Sequence, residues 1–230
     1  SGLYFALKFY RLLQQETARS IRAESMANEA QLRMLRYQLN PHFLFNTLNT
    51  VNALIRAQES RTAQKMIARL GDFLHYSLGS DPAKMITLNR EIDALMLYLD
   101  IEKIRFGERL SLEVDIEEQA GRALVPSLLL QPLVENAVKH AIGLNEKGGT
   151  IAITGRVCGD ELCIELTDTG AGSDASHSPS RSDRGVGLRN TLQRLQTLYE
   201  DAYVFDIGER KTSGLRVTLR IPREEKELAE

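Results

Sequence analysis

Apolar residues recur along this chain in two different rhythms, and the change falls near residue 106. From Arg11 to about Gln58 there is no glycine and one proline, Pro41, in a stretch rich in Ala, Leu, Gln, Glu and Arg. That composition predicts a long helix. Residues 11–30 carry only sparse apolar positions such as Leu13, Ile21 and Met26, so any coil there is weak. From Leu32 the spacing tightens: Leu32, Leu35, Leu39, His42, Asn46 and Asn49 alternate by three and four, a coiled-coil-like seam. Leu44, Leu48, Val51 and Ile55 form a second stripe, and two stripes suit a bundle better than a two-stranded coil. A second helix is predicted over 60–78, with Ala63, Met66, Ile67, Leu70, Phe73, Leu74 and Ser77 on one face. Gly79-Ser80-Asp81-Pro82 breaks it. A third runs over 89–104, with Ile92, Leu95, Met96 and Leu99 inward. Such a hairpin leaves an apolar face uncovered, and doubling into a four-helix bundle is the simplest way to bury it.

Beyond Phe106-Gly107 the period becomes two. Leu110, Leu112, Val114 and Ile116 alternate with polar residues, which predicts a strand. A helix is predicted around 127–142, then strands over 150–157 and 161–167 joined by Cys158-Gly159-Asp160, a hairpin signal. A polar loop covers 171–184, a helix 186–199, and strands 203–207 and 215–221 complete a mixed α+β sandwich with antiparallel pairs. The charged tail from Arg223 is expected to fray. The chain is therefore read as a helical segment over 1–30, a helical domain over 31–105 and an α+β domain over 106–230.

Composition changes this picture little. The chain has 230 residues, 43% hydrophobic and 26% charged, which is ordinary for folded protein. Its 29 basic and 31 acidic side chains nearly cancel, arguing against direct nucleic-acid binding. Two cysteines make no disulfide framework and fit no zinc spacing, so both read as ordinary thiols in a reducing compartment. No apolar run reaches the ~18 residues of a membrane span. Ser1-Gly2 reads as an expression scar. Leu3–Tyr10 is the most aromatic stretch, with Lys8 within it and Arg11 just after. It reads either as the cytoplasmic exit of a membrane helix or as the amphipathic first turn of a soluble one.

Three groups carry candidate chemistry. On the helix after Pro132, Asn136, Lys139, His140 and Gly143 fall at i, i+3, i+4 and i+7, with Glu135 near the same edge. An amide oxygen suits a hard cation, and two donors suit phosphate oxygens. The same pattern also describes a plain solvated helix face. Asp168-Thr169-Gly170-Ala171-Gly172 follows a strand: a carboxylate there can accept from an exocyclic amine such as adenine's, and Gly170 and Gly172 let backbone approach a flat base. Gly185-Val186-Gly187-Leu188 opens a helix, where free N–H groups favour an anion. Each alone is weak. Their order is far more specific.

Glu135–His140 is similar to the N box of the GHKL ATPase superfamily, Asp168–Gly172 looks like its G1 box, and Gly185–Gly187 its G2 box. Gln38–Asn49, containing N-P-H-F-L-F-N, resembles the phosphoacceptor box of LytS-type sensor histidine kinases, and Tyr98–Phe106 (Y-L-D-I-E-K-I-R-F) resembles their link between bundle and ATPase domain. The resemblance spans residues 3–222. It implies a Bergerat-type ATP-binding sandwich after a dimeric four-helix bundle, ATP and Mg²⁺, a homodimer, and a response regulator, commonly of LytTR type. The fragment would be the cytoplasmic part of an inner-membrane protein whose sensor region lies elsewhere, with Leu3–Tyr10 the remnant of its membrane helix.

On that reading His42 is the phosphoacceptor. Pro41 removes a helix hydrogen bond and predicts a kink beside the imidazole. The larger histidine-kinase class has an acidic residue after the histidine; here Phe43 stands there, so the general base is open, with Glu135 or a second-helix residue as candidates. Asn46, one turn on, orients the imidazole or a water. Asn136 holds Mg²⁺, Asp168 selects adenine, and Gly170 and Gly172 shape the pocket. Lys139 and His140 neutralise charge, Gly185, Gly187 and Leu188 complete the phosphate side, and the 171–184 loop closes as a lid. A hinge near Phe106–Glu108 lets the domains move. His75 reads as structural and His177 as incidental. Two rivals stand beside this reading: a GHKL ATPase in which Glu135 activates water, and a dimeric scaffold that binds nucleotide only as a structural ligand.

Overall fold

The computed structural model describes residues 41–81, 84–143, 145–170, 186–210 and 214–224. The predicted helix before Pro41 with its kink, the Leu32–Leu39 seam, the Leu3–Tyr10 segment, the 171–184 lid, Gly172 and Gly185 lie outside these residues. The chain forms two compact units, Ser1–Leu48 and Asn49–Glu230.

Helix α1 spans Pro41–Arg56 and crosses from the first unit into the second. Phe43, Thr47 and Val51 are buried on it, and the Thr47 hydroxyl donates to the Phe43 carbonyl at 2.8 Å. The second stripe does not stay together: Val51 is buried, Leu44 is half-buried, and Leu48 and Ile55 are exposed. Helix α2 (Ser60–Gly79) buries Ala63, Met66, Leu70, Phe73 and Ser77, a line stepping by three and four. Ile67 lies off that line and is exposed, contrary to the single face predicted; Leu74 is half-buried and His75 exposed. Ile55, Ile67 and Leu78 are exposed apolar side chains of these two helices.

A short strand β1 (Met85–Thr87) leads into helix α3 (Leu88–Phe106), whose N-cap Thr87 accepts from the Arg90 amide. Helix α3 packs against α2 through the Phe73 and Tyr98 rings, 6.0 Å apart, and an Arg69–Asp100 ion pair at 3.2 Å. Ile92, Leu95 and Leu99 are buried as predicted. So are two carboxylates that apolar periodicity left out, Glu91 and Glu102.

Gly107, with φ 59°, ends α3 in the left-handed region that suits glycine, and a 3₁₀ turn (Gly107–Arg109) enters β2 (Leu110–Ile116). This is where the hinge was expected. The turn is instead bridged: Lys103 Nζ donates to the Leu110 carbonyl across it, and Arg109 reaches the Ile142 and Asn145 carbonyls. Helix α3 and the sheet belong to one compact unit.

Helix α4 (Glu118–Arg122) and strand β3 (Leu124–Pro126) follow, with β3 pairing antiparallel to β1. Helix α5 (Gln131–Ala137) passes into a π turn (Val138–Ile142). Then come β4 (Gly149–Cys158), β5 (Glu161–Asp168), helix α6 (Val186–Tyr199), β6 (Val204–Glu209) and β7 (Leu215–Pro222). The five-stranded order is β2-β4-β5-β7-β6. β2 and β4 run parallel, and the other pairs are antiparallel. A parallel pair needs a crossover, here α4, β3 and α5, which brings α5 against β5. The β4–β5 hairpin closes from the Cys158–Glu161 pair with Gly159 at φ 67°, the first central place of a tight turn that needs positive φ. The core lies between this sheet and the helices: Ile151, Ile153, Ile164, Leu166 and Leu219 from the strands, Leu133, Val134, Ala137 and Leu195 from α5 and α6. This is the helical region followed by an α+β sandwich that was expected. Among the described residues no helix is long and apolar enough to cross a membrane.

Candidate functional site

Helix α5 begins at Gln131, four residues later than predicted, with Pro132 in its first turn, where the missing N–H costs nothing. Its inner face is Leu133, Val134 and Ala137. Asn136 and Lys139 are exposed, and the Glu135 carboxylate accepts from Gln131 Nε2 at 2.8 Å. The prediction that Asn136, Lys139, His140 and Gly143 share one helical face needs correcting. From Val138 the backbone follows a π turn, closed by Gly143 N–H to the Val138 carbonyl at 3.0 Å. A wider turn breaks the 3.6-residue rhythm on which that face was counted. A Cβ on Gly143 would stand 2.7 Å from the Lys139 carbonyl oxygen, so the turn's exit needs a glycine.

Asp168 ends β5 and is 4% exposed. Among the described residues its Oδ1 accepts from the Gly170 amide at 2.9 Å and the Leu215 amide at 3.3 Å. Thr169 is tied to Thr150 by amide-to-carbonyl and amide-to-hydroxyl bonds of 3.1 and 2.7 Å. Arg210 Nη1 donates to the Asp168 carbonyl at 3.1 Å. Gly214, with φ 88°, lies so close that a Cβ would come 2.0 Å from that carbonyl oxygen and 2.8 Å from Oδ1. Gly214 belongs to this site and was missed by the motif reading, because it lies 46 residues beyond Asp168 in sequence and is brought back by the β5–β7 pair.

Helix α6 starts at Val186 with Gly187 exposed and Leu188 half-buried. A Cβ on Gly187 would meet Pro132 Cβ at 3.2 Å, so the amino ends of α5 and α6 adjoin. Asn136, Lys139, Asp168, Gly170, Gly187 and Leu188 thus all belong to the one unit that holds the sheet.

Helix α3 carries two buried carboxylates, Glu91 and Glu102. The Glu91 carboxylate accepts from the Leu128 amide at 2.8 Å and the Leu130 amide at 2.9 Å, just before α5. Burial holds its carboxyl above the usual range, against the pull of those amides and of Arg194. Three turns on, Glu102 lies 3.0 Å from Arg105 Nη1 and takes a hydrogen bond from Tyr98. Burial pushes Glu102 up to about 7, opposed by Arg105 and Tyr98 and reinforced by the charge of Glu135. Glu91, Leu95, Tyr98 and Glu102 step by four, three and four, and that spacing was the available signal that two carboxylates interrupt a buried stripe. Cys163 keeps its proton: burial first, then neighbouring Cys158, raises its thiol to about 11.

In the other unit, His42 is exposed in the first turn of α1. Asn46 Nδ2 lies 3.2 Å from each ring nitrogen, within reach of whichever carries the lone pair.

Comparison with known proteins adds to this geometry. Residues 30–110 match the histidine kinase family, and residues 122–225 match the family of histidine kinase-, DNA gyrase B- and HSP90-like ATPases. Among curated relatives, the sensor histidine kinase YesM of Bacillus subtilis is 32% identical over 88% of this chain and 35% of its own length. The sensor histidine kinase BtsS of Escherichia coli K12 is 34% identical over 87% of this chain and 35% of its own. The sensor protein LytS of Enterococcus faecalis is 31% identical over 88% and 36%. The chain therefore spans about a third of the length of these relatives.

Proposed function

We propose, for a chain that belongs to the LytS-type sensor histidine kinases, that it transfers the γ-phosphoryl group of ATP to His42 and passes it on to an aspartate of a response regulator. The observation that carries this is the pairing within one unit of a buried strand-end carboxylate, Asp168 beneath Gly214, with a helix that presents Asn136 and Lys139 to solvent. A carboxylate with few competing donors is a specific acceptor for adenine's exocyclic amine. The backbone of Gly214 approaches Asp168 too closely to admit a side chain.

The residues present also suit a divalent cation beside the triphosphate. Asn136 carries an exposed amide oxygen, the hard neutral donor that Mg²⁺ accepts alongside phosphate oxygens. When bound, the cation supplies charge neutralisation at the transferring phosphoryl group. We assign Lys139 and His140 to the phosphate charge, Gly170 and Gly172 to the base, and Gly185, Gly187 and Leu188 to the phosphate oxygens. In the transfer, a ring nitrogen of His42 bonds to the γ-phosphorus while its bond to the β–γ bridging oxygen breaks and ADP leaves. Asn46 holds the ring, and the Glu135 carboxylate is our assignment for the ring proton. Catalysis then rests on positioning and charge rather than covalent chemistry.

The exposed Ile55, Ile67 and Leu78 support a homodimer in which two copies of the hairpin form a four-helix bundle. The regulator is proposed to be of LytTR type, and the remainder of the protein to anchor this part at the cytoplasmic face of the membrane. Incubation with γ-labelled ATP and Mg²⁺ tests the proposal. It expects label that is lost in acid, survives base, and is absent from His42→Gln. Steady phosphate release without labelled protein would make the chain an ATPase, and retained nucleotide without turnover a scaffold.

A further inference from the structure

The helix that carries Asn136 is held at both ends by one segment of chain. At its amino end, Glu91 on α3 takes the amides of Leu128 and Leu130. At the far end of the π turn, Arg109, in the 3₁₀ turn that follows α3, donates to the carbonyls of Ile142 at 3.1 Å and Asn145 at 2.7 Å. The charges have the signs that complement the helix dipole, acid at the amino end and base at the carboxyl end. Between them, the Glu135 carboxylate repels that of Glu102 and raises it further. The two ends of α3 thus meet the two ends of the α5 segment in the same order.

Two further features show that the amino end is fixed. Leu128 has φ 59°, a left-handed conformation that a branched side chain adopts only under constraint, and its amide is the one Glu91 Oε2 accepts. Arg194 of α6 donates to the adjacent Ser127 carbonyl at 2.6 Å. The same four-residue loop is thus gripped by α3 on one side and by α6 on the other. At the carboxyl end, Gly148 passes so near Arg109 that a Cβ would stand 2.1 Å from its carbonyl oxygen.

We infer that Glu91 and Arg109 are positioning residues for the nucleotide site: together they splint the helix bearing Asn136, so that the geometry offered to Mg²⁺–triphosphate is set by α3 and the turn after it. This rests on the function proposed above. Neither residue touches nucleotide in this account. Because α3 packs on α2, a shift of the hairpin reaches Asn136 through the splint without a free hinge at 106–108.

The test is titration of the whole chain with the non-hydrolysable analogue AMPPNP, with Mg²⁺ and again in EDTA, at a temperature where circular dichroism shows each variant folded. Glu91→Gln keeps the side chain's shape but turns a donor toward one of the two amides. Arg109→Ala removes an exposed side chain and is expected to fold even where the first variant does not. Both are expected to weaken AMPPNP binding about tenfold with Mg²⁺. In EDTA the variants should bind nearly as wild type does, because adenine recognition is untouched, and Arg109→Lys should recover part of the loss. Faster amide exchange over 130–142 should accompany it. Equal affinity in folded Glu91→Gln and Arg109→Ala, or a loss of the same size with and without Mg²⁺, overturns the inference while leaving the proposed function standing. Failure of wild type itself to bind overturns both.

Discussion

The two sides of the proposed nucleotide site are built by opposite means. On the base side everything is backbone and burial: Asp168 is 4% exposed, its Oδ1 takes two amides, and Gly214 presses against its carbonyl. On the phosphate side the chemistry sits on exposed side chains of α5, and order comes from contacts at the ends of that helix. The difference teaches that one site can have a rigid half, in which recognition and stability are inseparable, and an adjustable half, in which they separate. In the proposed kinase, a small change in helix packing has purchase only on the second.

The comparison breaks most readily at Gly214. Placing alanine at φ 88° with its Cβ 2.0 Å from the Asp168 oxygen should cost about 3 kcal/mol or more, because backbone strain and steric overlap coincide. Thermal unfolding of Gly214→Ala would show it, and a melting temperature equal to wild type would mean the base side is not rigid. Asp168→Asn should separate recognition from folding. Its amide oxygen can still serve the two N–H groups, while the other atom becomes a donor facing adenine's amine. ATP affinity should fall by roughly 10–100-fold with little change in melting temperature. On the phosphate side, Asn136→Ala should leave stability within about 0.5 kcal/mol, as expected of an exposed position, yet raise the Mg²⁺ concentration needed for nucleotide binding about tenfold. A large loss of stability there would erase the contrast.

The smallest effect concerns Glu102. Its carboxyl is raised by burial to about 7, against a usual value of 4.5. The folded chain therefore holds a proton that the unfolded chain has released between those values. Stability from this group is present below about pH 4.5 and declines as pH rises toward 7. Glu102→Gln should flatten that slope in denaturant titrations at pH 5, 6 and 7. An unchanged slope would contradict the burial argument.

Much of this was legible in the sequence, for reasons that differ by element. The five long strands and four long helices announced themselves through periods of two and 3.6, and their boundaries fell at Gly79, Gly107 and Gly159. Ordered motifs singled out Asn136, Asp168 and Gly187, which lie in one compact unit. Periodicity says nothing about partners, however. Alternation in 110–116 reads the same whether its neighbour runs parallel or antiparallel, so the parallel β2–β4 pair stayed hidden. Strands of three residues such as β1 and β3 have no measurable period. The π turn at 138–142 depends on a single shifted hydrogen bond. Glu91 was missed because its partners are main-chain amides 37 and 39 residues away, which no side-chain pattern reveals. Ile67 was placed inward because it is apolar, yet an uncovered face in one chain is where a helical hairpin keeps such residues.

The central claim is that the γ-phosphoryl group of ATP ends on the imidazole of His42. Trypsin should release residues 37–56 as one peptide, since no lysine or arginine lies between Arg36 and Arg56. After incubation with Mg-ATP, mass spectrometry under alkaline conditions should find the phosphoryl group on that peptide, on the fragment ion containing His42, and brief acid treatment should remove it. A phosphoryl group that survives acid on Thr47 or Thr50, or one confined to any other peptide, would contradict the account.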